Sequence, residues 1–310
     1  MKFIVLNWLN INHMKHRLSL IIMTLVIIQI TTSCSLSMDS FSRNLNKAVM
    51  SNNDPQTVSQ ALPAYLILMD GLIEDDPEDE IVLKASAELM TAYAGLLGSQ
   101  VELMSGQPEN SIQVIRNQQK KLNEKALDRI NRAICIYEEK YCNLTDITFS
   151  EFKVRLRNVN IDDIDMLYSL GTIWASWLQG NTDDWNAMAK LPQIKLLMEK
   201  TVMLDEHWKH AGGHMYLGVL NSFIPASLGG RPNIGKDHFE TAIKLTEGKN
   251  LMVKVLYAEF YSRLMFDEEL HKTLINDVLT TENTPIELNL INTLARQKAK
   301  ALKVSAADYF

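Results

Sequence analysis

Three groups of residues in this chain have the types and spacing to do chemistry. His207, His210 and His214 are three and four apart, which on a continuous helix would place three imidazoles on one face, as a zinc site requires. Gly212 and Gly213 are expected to interrupt that stretch, and no carboxylate is placed to complete the ligand set. The histidines therefore read as capping and packing residues, and no metal is expected. Asp183 and Asp184 could form a general-acid pair, but they stand directly before Trp185, where helix-capping carboxylates stand. The acidic residues of 74–80 surround Pro77 and read as a solvated turn. The third group is the thiols. Cys135 and Cys142 are close in sequence, and an oxidising compartment would permit a bond. The alternative is a buried Cys135 and an unrelated loop Cys142. Motifs for a serine nucleophile, a phosphate loop, a zinc protease or a dinucleotide site (G-x-S-x-G, G-x-x-x-x-G-K-[ST], H-E-x-x-H, G-x-G-x-x-G) do not occur. The chain is not expected to be an enzyme or to carry a cofactor.

Binding residues are the better candidates. Trp174, Trp177, Trp185 and Trp208 fall within one third of the chain, and Trp174 and Trp177, three apart, share a helical face. They read either as core or as the aromatic wall of a groove that holds a ligand or partner segment. Phe223 leads into Ile224–Pro232, a Pro- and Gly-rich segment with Leu228 and Arg231 at its tip. That segment is either a rigid connector or a contact loop. The candidate contact set is Trp174, Trp177, Trp185, Phe223, Leu228 and Arg231.

The third thiol, Cys34, has a different context. Lys15, His16 and Arg17 precede an apolar run of about 13 residues, Leu18 to Ile30, and Thr31, Thr32 and Ser33 lead to Cys34. The run is too short for a bilayer span of ~20 residues and has the layout of a lipoprotein signal. The expectation is a signal over 1–33, with Met14 a candidate start, a diacylglyceryl group on Cys34, and a Ser- and Asn-rich tether over 34–55. An ordinary cleaved signal with an incidental cysteine is the alternative. Ser35 after the cysteine favours the outer membrane over the inner. The net charge of −6 opposes nucleic-acid binding, which needs a basic footprint.

The elements that must position these residues are helices. From Gln56 onward apolar residues recur three and four apart, with stops at Asp75–Pro77, Ser105–Pro108, Gln179–Asn181, Gly229–Pro232, Glu247–Gly248 and Asn283–Pro285. Residues 143–162 could form a loop, a short helix or an inserted hairpin. A tetratricopeptide second-helix pattern recurs at Tyr65, Met69, Leu72, Ile73 and Pro77. It returns at Ala126, Ile130, Ala133 and Ile134, at Ile194, Met198, Thr201, Val202 and Leu204, and at Gly235, Phe239, Ala242, Ile243 and Leu245. Leu170-Gly171 with Trp174, and Leu217-Gly218, match the first helix. Such hairpins stack because small residues admit close approach while large ones fill the next groove. The expected fold is all-α, with tetratricopeptide-like hairpins in a compact curved solenoid over a single domain, 56–310; an irregular helical bundle is the alternative.

The segments LPAYLILMDGLIEDDP, LYSLGTIWASWLQGNTDDWNAMAKLPQIKLLMEK, GGHMYLGVLNSFIPASLGGRPNIGKDHFETAIKLTEGKN and NTLARQKAKAL resemble the T component of TRAP transporters, the TRAP-associated TPR lipoprotein or TatT family, from about Gln56 to Phe310. The resemblance implies a helical periplasmic lipoprotein of cryptic tetratricopeptide repeats, a homotrimer with a pore through each subunit, no enzymatic activity, and association with the solute-binding (P) component that hands substrate to a permease. The competing function is a scaffold lipoprotein for envelope assembly that binds no small molecule.

Overall fold

Short polar side chains set where the helices begin. Asp54 accepts N–H bonds from Gln56 (3.0 Å) and Thr57 (3.2 Å), and Pro55 sits at the first helical position, where a missing N–H costs nothing. Asp79, Thr148, Asp184 and Asp267 cap later helices in the same way. The computed structural model describes residues 40, 44–104 and 107–310; the signal segment and Cys34 lie outside the described residues. Within the expected tether, residues 44–50 are helical, and Asn289 donates to the carbonyl of Ser51 at 3.0 Å.

Among the described residues there is no strand. The helices are α1 (Pro55–Asp75), α2 (Glu80–Glu102), α3 (Glu109–Tyr137), α4 (Phe149–Arg155), α5 (Ile164–Gln179), α6 (Trp185–Met188), α7 (Leu191–Leu204), α8 (Trp208–Ser222), α9 (Pro232–Leu245), α10 (Leu251–Leu256), α11 (Glu268–Thr280) and α12 (Asn289–Val304). A π-helical turn, Tyr257–Ser262, extends α10. Packing follows chain order: α2 on α3, α3 on α5, α5 on α7, α7 on α8 and α8 on α9. The last helix, α12, packs on α10 and α11 and also returns to α1 and α2. Helix α2 is long and apolar enough to cross a membrane by composition, but most of it is buried here against its neighbours.

The repeated apolar positions fill these contacts. Ala126, Ile130, Ala133, Ile134, Ile194, Met198, Phe239 and Ala242 are all buried. At Gly218 of α8 an added Cβ would lie 2.6 Å from the Phe239 ring of α9, so the glycine is what lets the two helices close. Phe239 in turn stacks on Tyr257 with centroids 5.0 Å apart. Arg129 of α3, itself buried, bonds Asp70 of α1 and Ser86 of α2 and ties three helices together.

Three local outcomes decide between or correct the sequence expectations. Cys135, in the last turn of α3, is joined by a disulfide to Cys142, just past the helix end. Residues 143–162 contain the short helix α4, whose buried Phe152 meets Trp174 edge-on at 6.1 Å. The expected break at Gly212 and Gly213 is instead at Lys209, His210 and Ala211, which take positive φ of 48°, 56° and 58°. A left-handed turn costs ~1–2 kcal/mol per residue. Asn250 holds this one by donating to the carbonyl of His210 at 3.2 Å.

Gly218→Ala should destabilise the fold by roughly 1–3 kcal/mol through overpacking. Gly71→Ala in α1, where a Cβ meets nothing within 4 Å, should be neutral or add up to ~1 kcal/mol of helix propensity. Urea unfolding of both variants checks the pair; equal effects would contradict the close packing at Phe239. Reduction of the disulfide should remove about 2–3 kcal/mol, as closure of a short loop predicts.

Candidate functional site

Helix α8 is buried from Ala211 to Ser222 except at Tyr216 and Val219. These two, with Phe223 at the helix end, are three and four apart and form one half-exposed stripe. A second stripe on α5 consists of Asp165, Tyr168 and Thr172, and a third on α2 of Lys84, Glu88 and Thr91. The stripes meet. Tyr168 contacts Tyr216 edge-on at 6.2 Å, and Lys84 bridges Glu88 (2.9 Å) and Asp165 (2.7 Å). Ser169 donates to Glu88 at 2.6 Å. On the other side Phe223 faces Phe260 of the π-helical turn, with centroids 6.4 Å apart. Lys298 of α12 reaches Glu102 (2.6 Å) and Glu259 (2.9 Å).

The result is a face shared by α2, α5, α8, the π turn and α12, aromatic at its centre and charged at its margins. Burial pushes the Tyr216 hydroxyl up to about 12 and the Tyr168 hydroxyl well above its ordinary value, so both stay neutral. Burial also raises the Glu259 carboxyl, against the opposing pull of Lys298, and one of its oxygens has no hydrogen-bond partner. π-helical turns recur at functional sites.

Beyond Phe223 the chain enters the Pro- and Gly-rich segment Ile224–Pro232, which contains one 3₁₀ turn, Ala226–Leu228. Its folding back is enforced at Gly230, where a Cβ would lie 1.7 Å from the carbonyl oxygen of Ile224. The segment and the start of α9 enclose a cleft of about 450 Å³ against Leu264 and Met265. Pro225, Ala226, Pro232, Asn233, Ile234 and Arg231 complete its lining.

The structure separates the six candidate contact residues. Trp174 is 1% exposed and belongs to the core against Phe152. Trp185 is 88% exposed on α6, and Trp177 is half-buried. The tryptophans thus do not form one wall. Phe223 lies on the aromatic face, Leu228 lies in the 3₁₀ turn, and Arg231 lines the cleft. Asp184 caps α6 through the Asn186 N–H at 2.8 Å. Tyr168, Tyr216, Lys84 and Asp165 were not among the sequence candidates; their signal was the repetition of non-aliphatic residues at helical spacing.

The histidine cluster disperses as well. His207 and His210 are exposed, while buried His214 meets His238 of α9, Nδ1 to Nδ1, at 2.9 Å. No group of three potential ligands occurs among the described residues. Burial lowers both imidazoles, and the neighbouring His214 helps bring His238 to about 4.

The arrangement defines an all-helical protein whose helices pack in sequential pairs around a half-exposed aromatic face. The chain belongs to the TRAP transporter T-component family, TAtT, whose family model matches residues 51–310. No curated protein matches the chain.

Trp174→Ala should cost ~3–5 kcal/mol of stability, whereas Trp185→Ala should change it by less than about 0.5 kcal/mol. Equal losses on chemical denaturation would contradict the placement of the two rings. The histidine pair gives a pH dependence. Both folded values lie below the ordinary 6.5, so the unfolded chain takes up protons first and its population is favoured by acid. Stability from the pair is full above about pH 6.5 and falls as pH drops toward 4. His238→Gln should flatten that decline in denaturant midpoints compared at neutral and acidic pH.

Proposed function

We propose that this protein is a periplasmic accessory lipoprotein of a TRAP-type solute uptake system. It is anchored by acylated Cys34, with the outer membrane favoured, and it works by binding rather than by catalysis. Its helical hairpins stack as tetratricopeptide-like units over 56–310, behind a signal at 1–33 and a tether at 34–55. Three copies assemble as a homotrimer. Each binds the solute-binding component and, with it, the organic or hydrophobic ligand.

Family membership supports the transport context. The observation that carries the binding role is the stripe Tyr216, Val219 and Phe223, half-exposed on a helix otherwise buried. Half-exposed aromatic and apolar side chains are common lining material of ligand sites. The disulfide supports an oxidising compartment, since such bonds are rare in the cytosol.

Affinity chromatography with the cognate solute-binding protein should retain this chain, and Phe223→Ala should weaken retention with little loss of stability. No retention at tens of micromolar, with or without solute, would contradict the proposal. Cys34→Ala should release the protein from the membrane fraction or leave an uncleaved precursor.

A further inference from the structure

Exposed large apolar side chains mark contact surfaces when they gather in one place. One such group lies at the end of α12. Val304 is 85% exposed and Phe266 76%, and Tyr309 and Phe310 are exposed as well. Arg263 joins the chain segments that carry them. It donates to the Leu302 carbonyl (3.3 Å) and the Ser305 hydroxyl (2.7 Å), and its guanidinium lies 3.9 Å from the centre of the Tyr309 ring. Phe310 rests on His271 of α11, with ring centroids 5.1 Å apart. Phe266 takes a φ of 54°. Glycine or asparagine would adopt that conformation at less cost, so packing within the chain does not account for an exposed phenylalanine there.

The helix beside this group is basic. Helix α12 carries Arg296, Lys298, Lys300 and Lys303 and no carboxylate. Lys298 is used within the fold, between Glu102 and Glu259, and Arg296 donates to the Thr281 carbonyl at 2.9 Å. Lys300 and Lys303 are exposed. Lys300 and Val304, four apart, share the face opposite the buried Ala295, Ala299 and Leu302, and Lys303 flanks it. Of the neighbouring acids, Asp267 caps α11, and Glu268 and Glu269 reach Lys272 at 2.8 and 4.0 Å; Asp308 is exposed. A denser acidic group, Glu74, Asp75, Asp76 and Glu78, is exposed at the far end of α1. The near end of α1, at Pro55 and Gln56, shares a concavity with Leu294 and Gln297 of α12, and the 21 residues of α1 span about 30 Å. Charges act over ~8 Å at physiological salt, so that acidic turn does not offset an attraction at α12.

The point where the chain leaves the fold decides what covers this face. Asn289, the first residue of α12, donates to the carbonyl of Ser51 at 3.0 Å, so the segment that leads back to Cys34 departs from the start of the basic helix. Helix α12 has 16 residues and is about 24 Å long. An anchored chain therefore carries the lysines and the exposed rings to within a helix length of its point of attachment. We propose that the exposed face of α12, with Phe266, Tyr309 and Phe310, docks on the surface of an anionic phospholipid bilayer. The inference rests on the reading that Cys34 is acylated, and it adds a second contact to that anchor. Lys300 and Lys303 meet lipid phosphates, and the aromatic rings sit at the level of the headgroups. A lipid chain and a basic patch together hold more firmly than either alone. Docking also fixes which way the recognition face points.

The test uses the full-length acylated protein in vesicles of phosphatidylcholine and phosphatidylglycerol in equal parts, and in vesicles of phosphatidylcholine alone. With Cys34 acylated and Cys135 bonded to Cys142, an introduced cysteine is the one free thiol of the chain. Val304→Cys and, as the distant control, Asp76→Cys are each labelled with nitrobenzoxadiazole and quenched by headgroup-spin-labelled lipid. In the anionic vesicles the probe at 304 should be quenched at least about twofold more than the probe at 76, and the excess should shrink in phosphatidylcholine alone. Lys300→Glu with Lys303→Glu should remove about half of the excess or more, and Phe266→Ala should lower it as well. Thermal unfolding of each variant confirms that it is folded. Equal quenching at the two positions, or quenching indifferent to the charge reversal, would overturn the docking. So would a probe at 304 that is shielded from iodide already in detergent, which marks a second copy, or only once the solute-binding protein is added. Flotation separates the two readings. A chain that floats with the vesicles but is quenched equally at both positions overturns the docking alone, whereas a chain that does not float overturns the anchor and the docking together.

Discussion

The Phe239 ring is the point on which the arrangement of the functional face depends. It can seat against α8 only because Gly218 has no side chain, and it stacks on Tyr257 at its far side. One aromatic ring thus fixes α8, α9 and the α10 segment against one another. With Gly218 turned toward α9, helical geometry turns Tyr216, Val219 and Phe223 the other way, where they meet Tyr168 and Phe260. The same α8–α9 closure sets the reach of the segment between them, and so the cleft at Arg231.

Charge completes what packing begins. Helix α2 carries an ionic cluster near each end. Lys84 with Glu88 and Asp165 joins it to α5, and Glu102 with Lys298 and Glu259 joins it to α12 and the π turn. Lys84 and Lys298 are largely withdrawn from solvent, so their carboxylates stabilise positions that would otherwise be costly. These contacts bring the final helix back to an early one.

The helical class was legible because small and large apolar residues recur at a fixed offset, and Gly235, Phe239 and Ala242 occupy the buried positions that offset implies. The capping role of Asp184 was legible for a local reason, since a cap acts within three residues. The tryptophans were not separable. A spacing of three places Trp174 and Trp177 near one face but does not say whether that face meets Phe152 or solvent. Polar contacts such as Ser169 with Glu88, 81 residues apart, have no local sequence signature. The left-handed turn at Lys209–Ala211 was missed because glycine is the usual mark of positive φ, and here the glycines continue the helix while lysine, histidine and alanine take the strain.

The central claim is that recognition is concentrated where α8 runs out into the Pro- and Gly-rich segment. Hydrogen exchange of the full chain, alone and with its solute-binding protein, tests it most directly. The account predicts added protection over residues 223–234 with α11 (Glu268–Thr280) unchanged. A complex that forms while exchange over 223–234 stays the same would contradict it.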